Sequence, residues 1–140
     1  MSEIIKPQVF IQDEIFKEKG NIRKIISLES SGYNGFGEAY LSNIKKGETK
    51  GWKKHKKMTL NLFVIFGEVD FYIMKEFGIT KNNYFHIKLN SIKNNRLTIP
   101  PNFWVAFRGL SKGSSTIINI SDIKHDEEEV ERIDYKKFEI

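Results

Sequence analysis

The chain has no cysteine in its 140 residues, which excludes a disulfide framework and any thiolate metal site and fits a reducing compartment. Stability has to come from packing. Proline is scarce, with Pro7 and the pair Pro100-Pro101 accounting for all of it, and histidine is limited to His55, His86 and His125. Chemistry that needs several imidazoles in one place is short of material. Long apolar runs are missing too: the opening MSEIIKPQVFIQDEIF is broken by charges and Pro7, unlike a signal h-region, and no stretch approaches the roughly 18 apolar residues of a membrane span. A cytoplasmic protein with no membrane partner is expected.

What is present suits one packed domain. Hydrophobic residues make up 39% and aromatics 13%, with eleven Phe, a globular composition at the length of a single core. The net charge of +5 is uneven: Lys45 to Lys57 holds seven Lys and one Glu, whereas Asp126 to Ile140 holds seven acids against Arg132, Lys136 and Lys137. An anionic partner is expected near the middle of the chain, and residues 122–140 form an acidic tail, solvated or docked.

Period-two segments bounded by turn residues predict strands at Arg23 to Leu28, Gly37 to Asn43, Leu60 to Phe66, Val69 to Met74, Tyr84 to Leu89, Arg96 to Ile99, Trp104 to Arg108 and Ser115 to Ile120. SSGYNGFG, KKGETKG, KEFGITKNN, NSIKNN and SKGSS between them tolerate turn geometry. Helical periodicity is confined to HDEEEVERIDYKKF, where acids lead and lysines trail. The fold expected is all-β, a jelly roll or Greek-key barrel with a short helical or extended C-terminal tail.

The stretch KGWKKHKKMTLNLFVIFGEV resembles the first cupin motif, G(x5)HxH(x4)E(x6)G, with Gly47, Lys53, His55, Leu60 and Gly67 in register. Pro100 to Val105 is similar to the second motif, whose histidine falls at Val105. Metal-binding cupins hold their ion with two His, a Glu and a later His; here those positions are Lys53, His55, Leu60 and Val105. One donor of four and a surrounding positive charge do not make a divalent site, so no metal and no other cofactor is expected.

The same stretch, followed by LNSIKNNRLTIPPNFWVAFRGLS, resembles the nucleotide-sugar branch of cupins, dTDP-4-dehydrorhamnose 3,5-epimerases and dTDP-4-keto-6-deoxyglucose 3,4-ketoisomerases. Against the ketoisomerase pattern RGxHAHKK, Lys50 stands at the Arg, Lys53 at the first His and His55 at the second; KEKG at Lys17 to Gly20 is similar to an early DERG element. The resemblance runs from about Phe16 to Glu131 over a single cupin domain, residues 1–140, with residues 1–25 as an N-terminal arm at the interface of a homodimer.

That resemblance implies an epimerase or ketoisomerase acting on a nucleoside-diphosphate 4-keto-deoxy sugar, in surface-polysaccharide or glycan sugar biosynthesis. His55 would be the base that removes the proton beside the carbonyl, kept neutral by the lysines around it. Tyr40, near the ketoisomerase tyrosine, would be the proton donor, with Glu38 on the same strand face orienting a partner. Lys50, Lys53 and Arg108 would hold the diphosphate, and Trp52, Phe103 or Trp104 would stack on base or sugar. The 3,5-epimerases' tyrosine after the second motif is replaced by NISDIKHD, and the C-terminal segment that carries the aspartate of their His–Asp dyad has no counterpart here.

Two other functions stay open. One is a sugar-nucleotide-binding cupin without turnover. The other is a polyanion binder, whose affinity would fall steeply with salt, although the lysine run lacks the arginine-rich and aromatic-ladder patterns of dedicated nucleic-acid binders.

Overall fold

Alternation of apolar and polar residues builds two antiparallel sheets that face each other across the core. The structure, a computed structural model, describes residues 3–140. Its strands are β1 (Gln8–Ile11), β2 (Glu14–Ile15), β3 (Ile22–Arg23), β4 (Glu38–Lys45), β5 (Thr49–His55), β6 (Leu60–Phe66), β7 (Glu68–Met74), β8 (Tyr84–Asn90), β9 (Asn95–Ile99), β10 (Trp104–Gly109), β11 (Ser114–Ser121) and β12 (Val130–Arg132). One sheet has the order β1-β9-β6-β11-β4, the other β12-β5-β10-β7-β8, and β2 and β3 form a small hairpin. This is the jelly roll expected from the strand count. Gly67, at φ +86°, carries the chain from β6 in one sheet to β7 in the other, and a Cβ there would sit 2.4 Å from Ser115 Oγ. Only glycine fits that corner.

The inward faces interdigitate. Leu60, Leu62 and Val64 of β6, Leu97 and Ile99 of β9, and Ile117 of β11 pack against Val69, Phe71 and Ile73 of β7, Leu89 of β8 and Val105 of β10. A second cluster, Trp52, Tyr72, Met74, Trp104, Ala106 and Tyr135, lies on the outer face of the β5-containing sheet. Residues 133–138 cover it. The acidic tail is therefore not a solvated appendage: β12 pairs with β5, Tyr135 is buried, and two single 3-10 turns, Glu127–Glu129 and Tyr135–Lys137, stand where the charge pattern suggested a helix. Residues 130–132 take the open edge of β5 instead, and Tyr135 packs into the outer cluster.

Two strand expectations need correction. Arg23 to Leu28 is strand only at Arg23; beyond it the Lys24 carbonyl accepts from Asn94 Nδ2 at 3.0 Å and the Ile25 carbonyl from Arg96 Nε at 3.1 Å. Side chains satisfy these groups, so no ladder is needed. Conversely the lysine-rich segment read as a turn contains β5, because pairing with β10 on one side and β12 on the other outweighs the weak strand preference of lysine.

Candidate active site

β5 places the cationic and imidazole groups through an irregularity in its pairing. Lys53 and Lys54 face Val105 and Trp104, and Lys50 and Thr49 face Phe107 and Arg108, so Gly51 and Trp52 together oppose Ala106. The extra residue is a β-bulge that resets the alternation. Lys50, Lys53 and His55 all turn inward, whereas strict alternation would have sent Lys50 outward. Gly51 has φ +151°, and a Cβ on it would meet Ala106 Cβ at 2.5 Å. The bulge depends on that missing side chain.

These groups line a cavity of about 230 Å³ between the sheets, together with Tyr40, Ser42 and Asn119. Leu60, Leu62, Phe71, Val105, Phe107 and Ile117 make the rest of its wall apolar. His55 enters from one sheet and Tyr40 from the other.

His55 is 6% exposed, and its Nδ1 lies 2.6 Å from Glu129 Oε2. The other carboxylate oxygen of Glu129 accepts from the backbone N–H of Met58 at 2.9 Å and of Lys57 at 3.1 Å. A carboxylate accepts and does not donate, so Nδ1 bears the hydrogen and neutral His55 is left with a lone pair on Nε2 for the cavity. Burial is the largest influence on the imidazole and lowers its pKa below 6.5; Glu129 opposes this, and Lys53 and His125 add to the lowering. The neutral form is thus favoured chiefly by desolvation, with Lys53 as the one contributing lysine rather than the whole run. Lys54 pairs with Glu131 at 2.9 Å on the outer face, and Lys56 and Lys57 are exposed.

Tyr40 Oη accepts a hydrogen bond from Asn119 Nδ2 at 3.0 Å. Asn119 is itself buried and fixed by the Asn61 N–H, which donates to its Oδ1 at 3.1 Å. With its oxygen occupied as an acceptor, the phenol is free to direct its O–H into the cavity.

Five residues expected to bind or orient the substrate lie elsewhere. Trp52 is 1% exposed in the outer cluster and donates Nε1–H to the Phe138 carbonyl at 2.7 Å; Trp104 packs beside it against Phe77. Arg108, on the same outward face, donates to Thr49 Oγ1 at 2.9 Å and Tyr135 Oη at 3.1 Å. Side-chain parity along β10 sends Val105 and Phe107 to the cavity and Trp104 and Arg108 away from it. Glu38 starts β4 on the Tyr40 face, but its Oε1 accepts from the His125 N–H at 2.9 Å and it is not among the cavity-lining residues. Phe103 belongs to the inner core.

The sequence reading missed Glu129 and Asn119. Asn119 had a signal, since Ser115, Ile117, Asn119 and Ser121 alternate as the buried face of β11. Glu129 had none: it is one of three consecutive glutamates, and only the β5–β12 pairing selects it. It gives His55 a carboxylate partner near the C-terminal end of the described chain, where none was expected.

The four cupin ligand positions do not fit a metal. Lys53 offers a cation, Leu60 and Val105 offer no donor, and no group of three or more His, Asp or Glu side chains suited to an ion occurs among the described residues. An imidazole buttressed by a carboxylate, facing a phenol across an apolar cavity with an amine beside it, is equipped for proton transfer.

Residues 13–140 match the family FdtA: WxcM-like, C-terminal, and the chain belongs to that family. Its structure is similar to that of a dTDP sugar isomerase from Desulfovibrio desulfuricans G20, with TM-score 0.81 and 25% identity over 91% of this chain and 83% of that one. A sugar 3,4-ketoisomerase from Thermoanaerobacterium thermosaccharolyticum in complex with TDP shares the fold at TM-score 0.77 and 18% identity, over 96% and 92% of the two chains. So does a dTDP-6-deoxy-D-glucose-3,5-epimerase from Legionella pneumophila in complex with dTDP-4-keto-L-rhamnose, at TM-score 0.79 and 17% identity over 96% and 76%. No curated protein sequence matches the chain significantly.

Proposed function

We propose that the protein is an isomerase of a nucleoside-diphosphate 4-keto-deoxy sugar, shifting a stereocentre or the carbonyl by removing the proton on the carbon beside it. The observation that carries this is the His55–Glu129 pair, which presents Nε2 to the cavity that also holds Tyr40. His55 acts as base, Glu129 fixes its tautomer and stabilises the imidazolium formed, and Tyr40 on the opposite wall supplies a proton. Lys50, exposed at the end of the bulge with its Nζ 2.6 Å from the Asn43 carbonyl, contributes positive charge for the diphosphate. A cytoplasmic location and a place in glycan sugar synthesis accord with such a substrate.

The basic run does not form one nucleic-acid-binding stripe. Its lysines divide between the cavity, an ion pair on the outer face and the exposed strand end, which favours the sugar-nucleotide reading over a polyanion binder.

Incubation with dTDP-4-keto-6-deoxyglucose in D2O, followed by NMR, tests the assignment. Deuterium is expected at C4 of a 3-keto product for ketoisomerisation, or at the inverted carbon beside the carbonyl for epimerisation. His55→Ala should abolish incorporation while dTDP still binds. Binding without wash-in, for this and other nucleotide-linked ketosugars, identifies a binding protein instead and rejects the isomerase.

A further inference from the structure

Lys53 stands at a position where the related motif has an imidazole, and its surroundings are unlike those of its neighbours. Lys50 donates to the Asn43 carbonyl and Lys54 pairs with Glu131, but the Lys53 side chain has no hydrogen bond or ion pair among the described residues. It lies two residues before His55, on the same inward face, in a cavity walled largely by apolar side chains. A lysine held for structure is normally matched by a carboxylate when half-buried. This one is turned toward the reaction space instead.

We propose that Lys53 is a third proton-transfer group of the site, beside His55 and Tyr40, giving a proton to the sugar's carbonyl oxygen while His55 takes one from the adjacent carbon. This rests on the isomerase reading above. As the C–H bond breaks, its electron pair forms the C=C bond and the carbonyl π pair takes the Lys53 proton to become an O–H. His55 gains one proton and Lys53 loses one. The intermediate is a neutral enediol, and the summed charge of the two side chains is unchanged, which matters in a cavity where a bare enolate would be poorly solvated. For ketoisomerisation the return step mirrors the first: the Lys53 amine accepts the proton of the neighbouring hydroxyl as the carbonyl forms there, and His55 returns its proton to the other carbon.

The electrostatic setting agrees with a lysine that exchanges protons. The charged and titratable groups around it are Lys50 and His55 on β5, Arg132 on β12, Glu127 in the adjoining 3-10 turn and Tyr40 on β4. Burial lowers the Lys53 pKa below 10.5, Arg132 and Lys50 add to the lowering, and Glu127 opposes it. Such a shift brings the ammonium nearer the acidity useful in a general acid at neutral pH.

Arginine separates proton transfer from fixed charge, since a guanidinium keeps its charge but does not deprotonate in a protein. Wild type, Lys53→Arg, Lys53→Met and Lys53→His would be compared for dTDP affinity, kcat as a function of pH, and deuterium wash-in from D2O. Lys53→Arg and Lys53→Met are each expected to lose about 100-fold or more in kcat. The Arg variant should keep dTDP affinity within about threefold, the expectation for a retained positive charge, which also reports that it is folded. The alkaline limb of the wild-type profile should vanish in the residual activity of Lys53→Arg and move to lower pH in Lys53→His, which should recover part of the rate. A Lys53→Arg protein with wild-type kcat overturns the proposal and leaves Lys53 a fixed charge. Activity of the wild type that survives in Lys53→Met also overturns it while the isomerase reading stands. Wild-type inactivity toward every nucleotide ketosugar overturns both.

Discussion

Glu129 does two jobs that can be separated by substitution. Its Oε2 sets the tautomer of His55, and its Oε1 satisfies the N–H groups of Lys57 and Met58 at the turn after β5. In Glu129→Gln the amide oxygen can keep the two backbone N–H groups, leaving the NH2 to face Nδ1 and favour the tautomer whose Nε2 is already protonated. The expected result is a fall in kcat of roughly 10³- to 10⁴-fold, as for the wrong tautomer in a Ser-His-Asp triad, with little change in melting temperature. Glu129→Ala also strips the backbone groups of their acceptor and should cost about 1–3 kcal/mol in a urea titration. A Gln variant with wild-type kcat would remove Glu129 from the mechanism. The pH behaviour follows from His55, whose pKa is lowered by burial. His55 has to be neutral to act as base, so the acid limb of kcat/KM should lie below pH 6.5. The unfolded chain protonates this histidine first as pH falls, so its contribution to stability is complete above about pH 6.5 and declines below it, down to the folded pKa. Placement of the acid limb above pH 6.5 would contradict the buried-base assignment.

At the scale of elements, the outer aromatic cluster binds the C-terminal segment to β5. Trp52 stacks with Tyr135 at 5.8 Å, meets Phe77 edge-on at 5.7 Å, and donates to the Phe138 carbonyl. Trp52→Phe keeps most of the apolar contact and loses the hydrogen bond, so a destabilisation of about 1–2 kcal/mol is expected with dTDP affinity unchanged. Weaker dTDP binding at an unchanged melting temperature would return Trp52 to the site. Much of the fold was legible in the sequence because β6, β7, β10 and β11 are apolar, β-branched and bounded by glycine-rich turns. The spacing around His55 was legible as well. What was hidden depends on pairing across the chain: β5 is disguised by its lysines, Glu129 is selected only by the contact between β12 and β5, 74 residues apart in sequence at His55 and Glu129, and the bulge at Gly51 changes which residues face inward. Trp52, Trp104 and Arg108 were placed in the site by proximity in sequence, whereas parity along paired strands decides the face.

On the scale of the whole molecule, one sheet still presents apolar surface to solvent. Leu41 on β4 and Ile118 on β11 face each other in register on the outer side, with Leu41 60% exposed and Ile65 of β6 43% exposed nearby. The Lys-rich strand, by contrast, meets the acidic C-terminal segment within the chain at the Lys54–Glu131 ion pair and the His55–Glu129 hydrogen bond. Contact between these apolar side chains is the drive for self-association. We expect a homodimer in solution that covers this face. Sedimentation equilibrium at micromolar concentration should give twice the 16.4 kDa chain mass, and Leu41→Glu should shift the population to monomer by placing a charge where apolar side chains would be buried. His55–Glu129 lies within one chain, so the monomeric variant should keep the acid limb of its pH profile even if turnover drops. A dimer that persists unchanged in Leu41→Glu would place the interface elsewhere, with the N-terminal arm the next surface to test.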